Sequence, residues 1–395
     1  MDVKGKLFKE SLEKIQLSFR LSGIPLHSTE KFTTKLRIIF FIHFFAIATG
    51  VGGAFHFFCI GVANGEDFTK LTFMAPCMCY SLLSNAKAFT MILNRRKIGE
   101  LIDSLTEMEE KTKKFIDGIY LDERVSLHKF IFYFNGVYLI LLVTFLLAPL
   151  AVMTLKYFDG DFELIYPFSI SYPFDPFRVV LYPVVYLHQV ETIIVVIIFT
   201  SSADYFFYTC CLYISIQFKL LQLQFENIIP NRICFNKTTY ADIKDKFIEL
   251  IGWHQKLISL TTKLEMVYAK STLYNFVSSS ILICLTLFDV TAIKDIAFVI
   301  PFLFFLGMCL VQIYLLCYFG DKVTQASAEV SSAIYNSLWY LSDATIGKHL
   351  LLVQMRAQKP CKLTALGFAD VNQRAFMRIL SNAWSFFALL NTMYR

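Results

Sequence analysis

Six stretches of this chain are apolar over about 20 residues each, the length that crosses a bilayer, and a seventh is as long but of mixed character. No other feature narrows the fold as much, because runs of this length are membrane helices. They extend from Leu36 to Val62, Leu71 to Leu93, His128 to Met153, Val179 to about Thr200, Ser271 to Phe288, Ile296 to Phe319 and Leu366 to Met393. The fourth continues as an amphipathic helix toward Phe225, the fifth is short, and the seventh is the least apolar. The expected fold is therefore an all-α membrane protein with seven transmembrane helices.

Composition agrees. Only 17% of residues are charged and 56% are hydrophobic, with 41 Phe, where soluble domains carry about 25% charged residues. The net charge of +6 does not point to nucleic acid, because the basic residues sit in the loops between apolar runs, where they act as topology signals. The N-terminal segment and the alternate loops on its side hold 27 Lys and Arg, against five on the other side (Lys70, Lys156, Arg178, Lys294, Arg395). The positive-inside rule places the N-terminus in the cytoplasm and the C-terminus outside. A G-protein-coupled receptor has the reverse arrangement, and neither an Asp-Arg-Tyr in span three nor an Asn-Pro-x-x-Tyr in span seven is present.

MDVKGKLFKE is too often charged to serve as a signal-peptide core, so none is expected. Phe8, Leu12, Ile15 and Phe19 instead mark one face of an amphipathic helix, which either lies on the inner membrane surface or packs under the bundle. Eight cysteines (Cys59, Cys77, Cys79, Cys210, Cys211, Cys284, Cys309, Cys317) fall in or beside apolar runs and read as small packing residues, and Cys234 and Cys361 lie in inner loops. Neither a disulfide framework nor a zinc spacing is visible. The sequon Asn236-Lys237-Thr238 falls on the cytoplasmic side and should be unused. Phosphate loops, metalloprotease motifs and nucleophile elbows are absent, so the chain is not expected to be an enzyme and needs no cofactor or metal.

Four polar residues within spans require an account. Lys87 is expected to snorkel to the inner interface and Asp204 to lie past the membrane. His188 and Glu191 share one face of span four, either as structural hydrogen-bonding groups or as the lining of a cavity. In the last segment Ser381, Ser385, Ala388 and Thr392 fall at helical steps along one side, opposite Trp384, Phe387 and Leu390. A small, polar stripe on a membrane helix either packs against another helix or faces water, and spacing alone leaves both open.

Several stretches bring a family into view. The outer loop reads YPFSISYPFDPF (Tyr166 to Phe177), followed by YLHQ (Tyr186 to Gln189). The large inner loop carries WHQKLISLTTKLEMVYA (Trp253 to Ala269), and CYFGDKVTQASAEVSSAIYNSLWY follows span six (Cys317 to Tyr340). Last come LTALGFADVNQRAFMRIL (Leu363 to Leu380) and SFFALL. In this order they resemble the insect odorant receptors over almost the whole chain, most densely in its C-terminal third. Gustatory receptors typically carry a Thr-Tyr pair and a terminal Gln-Phe, where this chain has Thr-Met-Tyr-Arg. The co-receptor subunit carries a much longer inner loop than Gln217 to Lys270 allows.

The resemblance implies a ligand-tuned subunit of a tetrameric, odorant-gated, non-selective cation channel, assembled with the co-receptor as a heterotetramer and needing no G protein. It implies residence among lipids of the plasma membrane of olfactory sensory neuron dendrites. Residues 1–35 would form a cytoplasmic N-terminal helix, 36–319 spans one to six, 320–365 a cytoplasmic anchor and 366–395 the pore-lining last span. Matched by position, Ser385, Leu389, Thr392 and Met393 would face the pore, with Leu389 as the hydrophobic gate. Tyr335 and Trp339, four apart on the expected helix, would belong to the assembly anchor. The pocket would take a small volatile apolar ligand in the outer half of the subunit. By helical spacing it is expected to use Met74, Cys77, Met78, Tyr138, Leu142, Phe145, Tyr186, Val190, Ile193 and Phe302. The alternatives are a gustatory-receptor-like channel or a secondary transporter. A transporter would show inverted repeats, and here the prolines instead cluster at Pro167, Pro173, Pro176 and Pro183.

Overall fold

The computed structural model describes residues 7–26, 33–66, 71–112, 118–160, 163–229, 237–293 and 296–394. Asn236 of the sequon, Cys234, and Lys4, Lys6, Lys31, Lys70, Lys113, Lys114, Arg232, Lys294 and Arg395 lie outside the described residues. Ten α-helices are described: α1 (Leu7–Ser22), α2 (Thr34–Asn64), α3 (Ala75–Leu93), α4 (Arg95–Thr112), α5 (Gly118–Phe158), α6 (Tyr182–Glu226), α7 (Lys237–Ala292), α8 (Ile296–Asn336), α9 (Ala344–Ala357) and α10 (Gln373–Tyr394).

Local chemistry sets the ends. Thr33 accepts from the Leu36 N–H at the start of α2, and Gly65, in the left-handed region at φ 67°, closes it by donating to Gly61 and Val62. Pro76 and Pro183 occupy the first turns of α3 and α6, where a missing N–H costs nothing. Among the described residues α2, α5, α6, α7 and α8 are both long and apolar enough to cross a membrane. α3 and α10 have 19 and 22 residues, long enough to span, but Asn85 and Lys87 in one and Arg374, Arg378 and Asn382 in the other dilute their apolarity. With these two, seven of the described helices correspond to the seven expected spans, and α1, α4 and α9 lie outside them.

The hub is α6, which packs against α1, α2, α3, α5, α7 and α8. Every residue from Phe199 to Phe218 is buried. α1 lies against this hub, with Phe8, Leu12, Ile15 and Phe19 all buried. The Phe8 and Tyr213 rings meet edge-on at 4.9 Å, and the Ser11 and Tyr213 hydroxyls are 3.3 Å apart. Of the two positions open to α1, the structure shows it packed into the bundle.

One polar expectation is corrected. Lys87 does not snorkel but turns inward to Asp204, which is buried within the bundle. The Lys87 ammonium donates to both Asp204 carboxylate oxygens at 2.7 and 2.9 Å, and the two side chains are 3% exposed. Gln312 Nε2 donates to the same carboxylate at 2.6 Å. α3, α6 and α8 converge here, and each charge is tolerable only because the others neutralise and hydrogen-bond it.

The segment after span six also departs from expectation. α8 ends at Asn336, and Trp339 opens a separate 3₁₀ turn, Trp339–Leu341. Asp343 then caps α9 by accepting from the Thr345 N–H at 3.2 Å. Tyr335 and Trp339 therefore do not share a helix face, although both are exposed and border one concavity between the end of α8 and α9. The last span is entered through a tight hairpin. Val371 N–H donates to Leu363 and Ala365 N–H to Ala369, each at 2.8 Å, and Leu366 and Gly367 turn with positive φ. α10 consequently begins at Gln373, later than the apolar run at Leu366. Gly320 lets α8 approach this hairpin, since a β-carbon there would sit 2.6 Å from the Val371 carbonyl oxygen.

Candidate functional site: a loop-covered pocket and an exposed last helix

The loop from Glu163 to Leu181 lies across the end of the bundle opposite α1, the loop end. It is pinned at successive points. Ser171 N–H donates to the Gly53 carbonyl at 3.1 Å, and His56 shares a 2.9 Å hydrogen bond with the Ser171 hydroxyl. Gly53 permits this approach, because a β-carbon would meet Ile170 Cγ2 at 2.5 Å and the Ser171 oxygen at 2.7 Å. Ser169 N–H donates to Met74 Sδ at 3.2 Å, and Tyr182 donates its hydroxyl to the Ile165 carbonyl at 2.9 Å. The fully buried Gln189 accepts from Phe168 N–H at 3.0 Å and donates to Phe168 C=O at 3.1 Å. This one side chain satisfies both backbone groups of a residue with no helix or strand to do so.

Beneath the loop a cavity of about 60 Å³ opens among Cys77, Tyr80, Ser81, Leu141, Phe145, Phe168, Thr192, Ile193, Val196, Ile197 and Phe305. The aromatic rings in and behind its wall meet at angled contacts. The Phe145 ring lies 5.7 Å from Phe168, 5.8 Å from Phe302 and 6.5 Å from Phe305, and Tyr80 meets Phe305 edge-on at 5.4 Å. Such pairs pack without fixed hydrogen bonds, which suits an apolar ligand held by dispersion and shape.

Of the ten pocket residues expected from the sequence, Cys77, Phe145 and Ile193 line this cavity. Phe302 packs behind Phe145. Tyr138 lies behind Tyr80, their hydroxyls 3.3 Å apart, and the buried Met74 supports the loop. Leu142 packs against the core, while Met78 and Val190 are half-buried and none of the three belongs to the lining. Tyr186 points to α5, donating its hydroxyl to the Leu146 carbonyl at 2.6 Å. His188 is structural, bonded at 3.1 Å to the Thr49 hydroxyl and at 3.0 Å to that of Tyr172. Tyr80, Val196 and Phe305 were reachable by one further helical step from Cys77, Ile193 and Phe302. Phe168 lies in irregular chain and carried no periodic signal.

At the other candidate site, α10 buries Ala375, Ile379 and Ala383 against its neighbours α7 and α8. Ser385, Leu389, Thr392 and Met393 are all exposed, Leu389 at 63%. Leu390 is half-buried. The Ser385 and Thr392 hydroxyls donate to the carbonyls of Ser381 and Ala388 one turn back, at 3.0 and 2.7 Å, so they satisfy themselves on an otherwise bare face. Among the described residues no cluster of His, Cys, Asp and Glu could hold a metal ion.

The profile described as 7tm Odorant receptor matches residues 66–384. Odorant receptor 67c of Drosophila melanogaster is 26% identical over 402 residues, covering 100% of this chain and 98% of its own. Odorant receptor 85f of the same fly is 26% identical, covering 95% and 94%. Among solved structures, the insect olfactory receptor OR5 from Machilis hrabei superposes with a TM-score of 0.80 at 18% identity over 97% of each chain. Its complex with eugenol gives 0.79 at 17% identity over 98% of each. The chain belongs to the 7tm odorant receptor family: it is a multi-pass membrane protein and a ligand-tuned odorant receptor of the ligand-gated channel kind, neither the co-receptor nor an enzyme.

Proposed function

We propose that this receptor is one subunit of a heterotetrameric, non-selective cation channel completed by odorant co-receptor subunits, in the plasma membrane of olfactory sensory neuron dendrites. Its basic end faces the cytoplasm and α10 lines a central pore. The observation that carries this is a contrast between two exposed helix faces. On α5 the exposed residues include Phe130, Phe132, Leu139, Ile140, Val143 and Leu147, a face suited to lipid. On α10 polar residues (Arg374, Arg378, Ser381, Asn382, Ser385 and Thr392) are exposed in among the apolar Met377, Trp384, Phe386, Leu389 and Met393. Hydrocarbon disfavours that set, whereas a water-filled path and neighbouring subunits accept it. Within it Leu389 is the gate, a hydrophobic constriction that closes by excluding water, and Ser385, Thr392 and Met393 flank it.

The loop-covered cavity is the ligand site, with Cys77, Phe145 and Ile193 in contact with the ligand and Tyr138, Phe302, Met74, Leu142, Met78, Val190 and Tyr186 around it. Eugenol bound to a receptor of the same fold supports a small organic ligand. Exposed Tyr335 and Trp339 belong to the surface that neighbouring subunits cover. Whole-cell recording from cells with and without the co-receptor tests the reading. The expected result is an odorant-evoked cation current only with both subunits, reversing with the summed cation gradient. A current that couples stoichiometrically to one ion, or none with any odorant at full surface expression, overturns it.

A further inference from the structure

A second concavity lies on the far side of the loop, between α2 and the segment Leu164–Phe177, with a volume of about 440 Å³. Phe57, Ile60, Ile165, Tyr166 and Phe177 make it apolar and aromatic, and Ser169 adds a hydroxyl. Its volume falls within the roughly 300–1,000 Å³ of small-molecule sites, whereas the inner cavity of about 60 Å³ is well below that range. Among the described residues only Phe168 borders both spaces.

The setting of Phe168 makes it a movable wall. Gln189 holds its N–H and C=O, so the backbone is fixed and the ring turns about its side-chain torsions alone. On the inner side the ring meets Phe145 at 5.7 Å, tilted by 39°, an aromatic contact that re-forms in several geometries at small cost. Around it the loop is held rigidly. Tyr166 donates its hydroxyl to the Pro176 carbonyl at 2.6 Å, and Ser171 is fastened to α2.

We propose that the outer concavity is a second, transient binding site, a vestibule that takes the same class of small aromatic or apolar odorant before rotation of the Phe168 ring admits it to the inner pocket. The inference rests on the pocket assignment above and adds a route to it: from water across the loop, rather than from lipid between helices. A vestibule site sets rates. Filling it raises the barrier for arrival and departure alike, whereas a damaged pocket slows arrival and hastens departure.

The test is rapid-perfusion recording of the receptor co-expressed with the co-receptor, using eugenol and a panel of small volatile alcohols and esters, with the strongest agonist carried forward. Ile60→Trp fills the vestibule from the exposed face of α2. Current onset and recovery should both slow severalfold, while Ile42→Trp, exposed elsewhere on α2, leaves them unchanged. Phe168→Ala should quicken both. If Phe168→Ala fails to reach the surface, Ile60→Trp decides alone. Unchanged kinetics in Ile60→Trp at matched surface expression overturn the vestibule and leave the inner pocket standing. A wild-type receptor silent to the whole panel overturns the channel reading and the vestibule with it.

Discussion

α6 and α10 are both membrane-length helices of one chain, yet they are finished by different means. α6 has an unbroken buried run from Phe199 to Phe218, enclosed by six neighbours, and the one charge within that run, Asp204, is neutralised and hydrogen-bonded inside the subunit. α10 buries only Ala375, Ile379 and Ala383 and leaves polar and apolar side chains alike exposed along the rest of its surface. A helix completed by its own chain carries fold stability. One left incomplete carries function, because what covers it can change between closed and open states.

The largest expected effect breaks the α6 side of this contrast. Lys87→Met should strip the buried carboxylate of its counter-charge, costing about 3–5 kcal/mol, and surface receptor should fall close to background. Combining it with Asp204→Leu should recover much of the loss, since the isolated charge is then gone. A double variant no better than the single would show that the pair does not hold α3 to α6. Next is Tyr138→Ala, at the edge between hub and pocket. It should reorder ligand potencies by about tenfold, near 1.4 kcal/mol, because a ligand shifts gating only by its differential affinity. Lost expression with unaltered ranking would make Tyr138 a packing residue.

On the α10 side, Leu389→Ala should raise ligand-free current about fivefold, on the order of 1 kcal/mol in the closed–open equilibrium. Leu390→Ala, on the half-buried side, should not, and Thr392→Lys should reduce cation current. Equal ligand-free currents in the two leucine variants at matched surface levels would turn the bare face into a packing seam. The smallest effect returns to the buried interior at the basic end. Burial first, then the Arg356 charge, lower the His254 pKa from 6.5 to about 4. The folded protein keeps this ring neutral while the unfolded chain protonates it. Stability is therefore unaffected above about pH 6.5 and lost as pH falls toward 4, roughly 0.5–1 kcal/mol between pH 7 and pH 6. The melting midpoint of purified receptor should follow that slope, and His254→Gln should flatten it.

What the sequence disclosed was whatever repeats along a helix. The four-, three- and four-residue steps of Phe8, Leu12, Ile15 and Phe19 forecast the buried face of α1, and the apolar runs forecast the spans. The Lys87–Asp204 pair escaped because its members are 117 positions apart and each alone looks like an interfacial charge. Trp339 escaped because the helix pattern runs past Asn336, while the Asp343 cap draws the chain into a new start. In the pocket, helical walls were partly legible and the loop wall was not. Phe168 is placed by Gln189, a contact between helix and irregular chain that no periodicity encodes.

α6 and α7 have 45 and 56 residues, which at about 1.5 Å per residue reach roughly 68 and 84 Å, against a hydrocarbon layer near 30 Å. More than half of each rod therefore reaches beyond the hydrocarbon. There burying apolar side chains draws on the full hydrophobic effect, while within lipid helices are held by packing alone. In engineering terms the receptor is a coupling shaft beyond the lipid with a membrane-embedded head. Exchanging detergent or lipid perturbs the head, and the shaft keeps its alignment.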